Sequence, residues 1–226
     1  MSTDPARALL QFFGGRVCLD FANTMDWRTS AAPQELLPDY ATLLYWSAKR
    51  GTLPPPAVAK LRTQARRRAE AAASVLEDAR ALRIEIWKAA EALCRGQAAQ
   101  PRPFNRRLAT LPAQPRLIRS GGGYVHDLPG RSLEEPVWPV LWSLSALLTS
   151  QDAGRLGFCQ AEGCGWFFVD ESPNHARTWC SSEVCGNRER ARRAYAKRKL
   201  PSPAPRDEVP GGRERETSAT PLRGRC

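Results

Sequence analysis

The chain has 226 residues, 42% of them hydrophobic and 25% charged, with 34 basic against 23 acidic side chains and a net charge of +11. That is ample for one folded core with a smaller appendage. The longest strongly apolar stretch, Val137 to Leu148, is far shorter than the roughly 20 residues that span a bilayer, so a membrane helix is excluded. The positive charge invites an anionic partner but is spread out: residues 1–153 carry 20 basic and 14 acidic side chains, residues 154–200 carry 9 and 5, and the rest 5 and 4. Arg makes up 29 of the 34 cations, beside abundant Ala and Pro, a composition that a GC-rich genome produces unaided. Global charge is therefore a weak guide to function.

Met1 to Gln11 holds Asp4, Pro5 and Arg7 and no apolar run of the kind a secretory signal needs, so a reducing cytoplasm is the expected compartment. The residues Asp20, Asn23, Thr24 and Asp26 cluster after Gly14-Gly15, the last three between Phe21 and Trp27. Asp20, Asn23 and Thr24 are candidates to line an effector pocket. The competing reading, which the habits of these residue types favour, is that they cap helices and close turns.

Asp39 to Arg50, stopped by Gly51, buries one face through Tyr40, Leu43, Leu44 and Trp46. Pro54-Pro55-Pro56 opens a long Ala-rich helical stretch ending near Arg95-Gly96, read as two helices with a break around Ala69 to Ala73. Arg116 to Arg119 and Tyr124 to Leu128, flanking three glycines, predict a β-hairpin, and Pro136 to Ser150 predicts another helix. His126 stands on that hairpin with no evident catalytic partner and is expected at the surface. Gly121 to Gly123 lacks the Lys and Ser or Thr of a phosphate loop, so no enzyme signature emerges.

The most specific signal comes next. Cys159 and Cys164, then Cys180 and Cys185, form two identical Cys-x4-Cys pairs separated by fifteen residues. Two short thiol loops a modest distance apart are a common way to supply the tetrahedral ligands of zinc, and in a reducing compartment metal is expected over two disulfides. One structural Zn2+ is therefore predicted, with all four positions filled by protein. His175 is a poorer ligand than the four cysteines and is placed on an exposed turn. Cys18 and Cys94 read as small buried hydrophobes. Gly165, Trp166, Phe167 and Phe168, with Trp179, supply apolar cover, and the order knuckle, hairpin, helix reads as a treble clef.

From Arg188 to Lys199 there are seven basic residues and one acid in twelve positions. Arg188, Arg190, Arg192, Arg193, Lys197, Arg198 and Lys199 are the candidate nucleic-acid contacts, since phosphate neutralisation needs clustered cations. Arg188 is also placed to pair with Asp170 or Glu171, and Asn187 to tie down the turn. A solvated face or a protein-docking surface stays open as the alternative. Residues 201–226, rich in Pro and Gly with few apolar side chains, are expected to be disordered.

Cys185-Gly186-Asn187-Arg188, with Cys159, Cys164-Gly165-Trp166 and Trp179-Cys180, resembles the CGNR zinc finger over roughly Arg155 to Lys199. Phe13-Gly14-Gly15-Arg16-Val17-Cys18-Leu19-Asp20-Phe21-Ala22-Asn23-Thr24 resembles the opening of the ABATE domain of bacterial stress-induced transcription regulators. The expectation is a mainly α protein: a helical domain with a small hairpin at 1–153, a treble-clef-like finger with a basic helix at 154–200, and a tail at 201–226. The resemblance implies a zinc-dependent DNA-binding regulator whose N-terminal domain senses a small-molecule or protein effector. An RNA-binding or protein-interaction adaptor is the alternative, and a homodimer would compensate for the weak grip of one finger.

Overall fold

The computed structural model describes residues 5–112, 116–120 and 123–199, the side chains of Ser120 and Lys199 excepted. The expected disordered tail, the tip of the glycine turn and Cys226 lie outside the described residues. Within them the chain is mainly helical, with three small antiparallel hairpins.

Helix α1 (Pro5–Leu9) lies against α3, and α2 (Val17–Ala22) is a six-residue helix with five residues buried, too short for its periodicity to show in the sequence. It packs between the helices described below as α5 and α7. Strands β1 (Met25–Asp26) and β2 (Gln34–Glu35) form a minimal ladder after it. Asp39 opens α3 (Tyr40–Arg50) by accepting the amide of Thr42 at 2.7 Å, and Gly51 closes it at φ 75°, as the sequence predicts. Helices α4 (Pro55–Arg67) and α5 (Ala69–Cys94) follow, Pro55 standing where a missing N–H costs nothing.

The break between α4 and α5 falls at Arg68, whose φ of −132° and ψ of 55° leave the helical region. The sequence places it around Ala69 to Ala73, but alanine is the best helix former and those residues begin α5 instead. Helix α6 (Arg102–Leu108) packs on α7 (Trp138–Leu148). Between them stands the hairpin of β3 (Leu117–Ser120) and β4 (Gly123–His126), paired Leu117 with His126 and Arg119 with Tyr124. His126 is not a free surface residue: it is half-buried, its ring centroid 4.1 Å from that of Trp142.

After α7 a 3-10 turn, Gln151–Arg155, delivers the chain to β5 (Leu156–Phe158), which pairs antiparallel with β6 (Phe167–Val169). A wide helical turn, Ser182–Gly186, then leads into α8 (Asn187–Lys199). Side chains alternate across a strand, and β6 buries both of its faces. Phe167 and Val169 join the main core with Phe21, Trp46 and Leu82, whereas Phe168 joins the cluster around the four cysteines. The finger and the helical region thus share one strand as common core.

Candidate metal centre and basic helix

The knuckle at the tip of the β5–β6 hairpin presents the first two thiols. Cys159 donates its amide to Trp166 O at 2.7 Å, Cys164 donates to Ala161 O at 3.0 Å, and Gly163 and Gly165 take the left-handed conformations the turn demands, at φ 76° and 64°. The second pair is set by Ser181, whose hydroxyl accepts the amide of Val184 at 3.2 Å and so fixes the turn carrying Cys185. Trp166, Phe168, Phe13 and Trp179 close over the cysteines, all four of which are buried.

The ligand atoms of the four cysteines all lie within 4.8 Å of one another. Cys164 Sγ is 3.8 Å from Cys180 Sγ and 3.7 Å from Cys185 Sγ, and Cys180 Sγ is 3.5 Å from Cys185 Sγ. A tetrahedron with zinc–sulfur bonds of about 2.3 Å has sulfur–sulfur edges of about 3.8 Å, so the pocket matches the ion. Disulfides, with S–S near 2.05 Å, do not describe these spacings. Without a cation the quartet does not hold four thiolates together. Cys159 is held far below the usual thiol range by the thiols of Cys164, Cys180 and Cys185 pointing at it, while Cys164 and Cys180 are pushed far above it, first by their bonds to Cys159. Four thiolates this close are sustained only by positive charge among them. The donor set supports one structural Zn2+ in a closed site.

A contact surface that the sequence reading missed holds this centre against the helices. The Asn23 carboxamide pairs with both main-chain groups of Phe167, Nδ2 donating to its carbonyl and its amide donating to Oδ1, each at 2.9 Å. The segment after β1 clasps the knuckle: Trp166 Nε1 donates to Met25 O at 2.9 Å, the Thr29 amide to Gly163 O at 3.2 Å, and Arg28 Nε to Gly165 O at 3.0 Å. Arg28 also lies over the Phe167 ring at 4.6 Å and pairs with Glu91 at 2.7 Å. Trp27 adopts φ 51°, rare for an aromatic residue, and presents its ring to Arg188. From the other side Arg177 donates to Phe13 O at 3.0 Å and to Cys180 O and lies over Phe168 at 4.2 Å, and Arg16 pairs with Asp152 and with Glu171.

These contacts revise one expectation and meet two others. Arg188 does not pair with Asp170 or Glu171; its guanidinium stacks on Trp27 at 4.2 Å. Asp170 instead holds the Ser172–Arg177 turn. Burial opposes its ionisation, but the Ser172 hydroxyl and the amides of Ser172 and Arg177 outweigh that and keep it below the usual carboxylate range. Asn187 does tie down its turn, its Oδ1 accepting from Arg190 at 2.5 Å. His175 sits on an exposed turn at φ 45°.

The candidate effector residues point inward to the protein's own backbone, as the capping alternative predicts. Asp20, 1% exposed, accepts the Gly14 amide at 2.8 Å and pairs with Arg50 at 2.6 Å; burial raises its pKa, and these two partners counter the shift. Thr24 donates its hydroxyl to Phe21 O at 2.7 Å, and Asn23 is engaged by Phe167. None of the three lines either of the two cavities described, so the pocket placed on them from sequence is withdrawn. Cys18 is fully buried and its thiol is pushed up to about 12 by that burial, which makes it inert, and Cys94 is half-buried.

On α8 the seven cations separate. Glu189, the only acid of the helix, is 3% exposed: it turns toward the finger, accepts the Glu162 amide at 3.2 Å and pairs with Arg192 at 3.0 Å. Arg192 also meets Glu162 at 3.3 Å, and Arg188 is held by Trp27. Arg190, Arg193, Lys197 and Arg198 are exposed, Arg193 over the edge of the finger with its guanidinium 5.9 Å from the Trp179 ring. The side chain of Lys199 lies outside the described residues.

A helical domain built onto a closed four-cysteine finger that ends in a cationic helix defines the class. A family model for ABATE, described as "Putative stress-induced transcription regulator", matches residues 15–151, and one for the CGNR zinc finger matches residues 155–198. The first covers more than half of the chain, and the protein belongs to that family. No curated protein matches the chain. No helix among the described residues is long and apolar enough to cross a membrane.

Proposed function

We propose that the protein is a DNA-binding transcription regulator in which Zn2+, held by Cys159, Cys164, Cys180 and Cys185, fixes a treble-clef-like finger and the finger presents α8 to the phosphate backbone. The ion supplies rigidity; Arg190, Arg193, Lys197 and Arg198, with Lys199, supply the charge. The observation that carries this reading is the burial of Glu189. A solvated basic helix ordinarily interleaves acids among its cations on the same face. Here the one acid is withdrawn into the finger, and the outward face is left uniformly positive. At 1.5 Å per residue, α8 is about 20 Å long, sufficient to cross a groove and reach phosphates on both sides.

Arg188 is engaged by Trp27 and Arg192 by Glu189 and Glu162, and both contribute to the position of the helix more than to its charge. The helical domain, clasped to the knuckle through Asn23, Arg28 and Trp27, is where an effector acts, and two copies together supply the affinity one finger lacks. The reading is tested by selecting duplexes from genomic fragments with the zinc-loaded full chain and measuring their affinity by fluorescence anisotropy. Retention of defined duplexes at moderate salt is expected; retention of none above background overturns it. Tyr195, 63% exposed among these cations, also suits stacking on an unpaired base, which favours RNA as the second reading. A single-stranded RNA competitor that outcompetes the selected duplex identifies that case.

A further inference from the structure

The helical domain contains a cavity of about 420 Å³ between the C-terminal end of α5, the segment 97–101, α6 and α7. Its walls are apolar, set by Phe104, Leu141 and Leu144, all three buried around it. Three polar residues join them: Asn105 on α6, Ser145 on α7 and Thr149 at its end. Thr149 donates its hydroxyl to Ser145 O at 2.9 Å, which leaves its oxygen able to accept. In a chain with 34 basic and 23 acidic side chains, no residue lining this cavity is charged. A charge held against these apolar walls would lose hydration without gaining a partner. An uncharged molecule of about 10–20 non-hydrogen atoms fits the space at protein packing density.

From these features we infer that this cavity is the binding site for a small, uncharged, largely apolar molecule bearing one hydrogen-bonding group, an alcohol, phenol or amide. The inference rests on the reading that the helical domain senses an effector, and it relocates the site from Asp20, Asn23 and Thr24. The cavity adjoins the finger at two points. Leu93 in its wall precedes Cys94, whose Sγ lies 3.7 Å from Leu156 O on β5. Thr149 at its rim ends α7, from which the 3-10 turn Gln151–Arg155 runs directly into β5 and Cys159. Occupancy therefore bears on the strand that carries the first zinc ligand.

The test adds 1-naphthol, 4-tert-butylphenol and 1-decanol to the zinc-loaded full chain labelled at its leucine methyls and backbone amides. At least one probe is expected to shift the Leu141 and Leu144 methyls saturably at one equivalent and to move the amides of residues 156–158. Ser145→Phe, which fills the cavity, lowers affinity at least tenfold. Should that variant fold poorly, Asn105→Leu, at an exposed position, is expected to abolish the preference for 4-tert-butylphenol over 4-tert-butyltoluene. No saturable methyl shift with any probe, or affinity unchanged in both variants, overturns the site. Contacts from those methyls to residues 200–226 in the unliganded protein overturn it in favour of the chain's own tail. Amides of 156–158 that stay still at saturation overturn the link to the finger. Duplex binding measured in parallel separates the two readings: loss of the probe site with duplex binding intact leaves the regulator standing.

Discussion

Asn23 forms two hydrogen bonds with the main chain of Phe167, completing with a side chain the pairing that a neighbouring strand would give to β6. Both partners are buried, so Asn23→Ala leaves an amide and a carbonyl without water or protein to satisfy them. The expected loss is about 3 kcal/mol, read as a lowered denaturant midpoint with an unchanged slope. A loss under about 1 kcal/mol would mean that β6 is held by its side chains alone.

Because Phe167 and Val169 belong to the main core while Phe168 covers the cysteines, zinc removal reaches the helices. A chelator, or Cys180→Ser, is expected to lower the principal calorimetric transition by about 10 °C or more, in line with a few kcal/mol on a domain of this size. An independent finger would instead melt separately, leaving the main transition in place.

Gly165 takes φ 64°, and a β-carbon there would run into the side chain of Thr29. Gly165→Ala should cost about 2 kcal/mol, part from the left-handed backbone and part from the collision. Adding Thr29→Gly should restore only the second part. Full restoration in denaturant unfolding would show that the backbone carries no strain.

The site was legible where its determinants are close in sequence. The two Cys-x4-Cys pairs, Asp39 and Gly51 at the ends of α3, and the run of cations in α8 each act within a few residues, so spacing alone reveals them. The clasp was not legible: Asn23 lies 144 residues from Phe167, and Arg28 lies 137 from Gly165. Phe167-Phe168-Val169 reads as an apolar run, which does not say that its two faces enter different cores. Asp20, Asn23 and Thr24 have the composition of a pocket and of a set of caps alike, and only their partners distinguish the two. In sequence Glu189 is one acid among seven cations; its burial is a tertiary fact, fixed by the Glu162 amide.

Arg188 and the outer cations should separate in experiment. Arg188→Ala removes the stack on Trp27 and is expected to cost about 1 kcal/mol of stability with a small change in duplex affinity. Lys197→Ala with Arg198→Ala, both at exposed positions, should leave stability within about 0.5 kcal/mol and weaken duplex binding. Equal effects on affinity from the two changes would place Arg188 on the contact surface.

The salt dependence of duplex binding tests the central claim most directly. For the zinc-loaded protein, the logarithm of the association constant should fall with the logarithm of salt concentration at a slope of about −4.5, about 0.9 for each of Arg190, Arg193, Lys197, Arg198 and Lys199. Replacing Arg190, Arg193, Lys197 and Arg198 together by Ala should reduce that slope to about −1, the share of Lys199, while zinc content stays unchanged. A slope that survives the fourfold replacement would place the nucleic-acid surface elsewhere on the molecule and contradict the role assigned to α8.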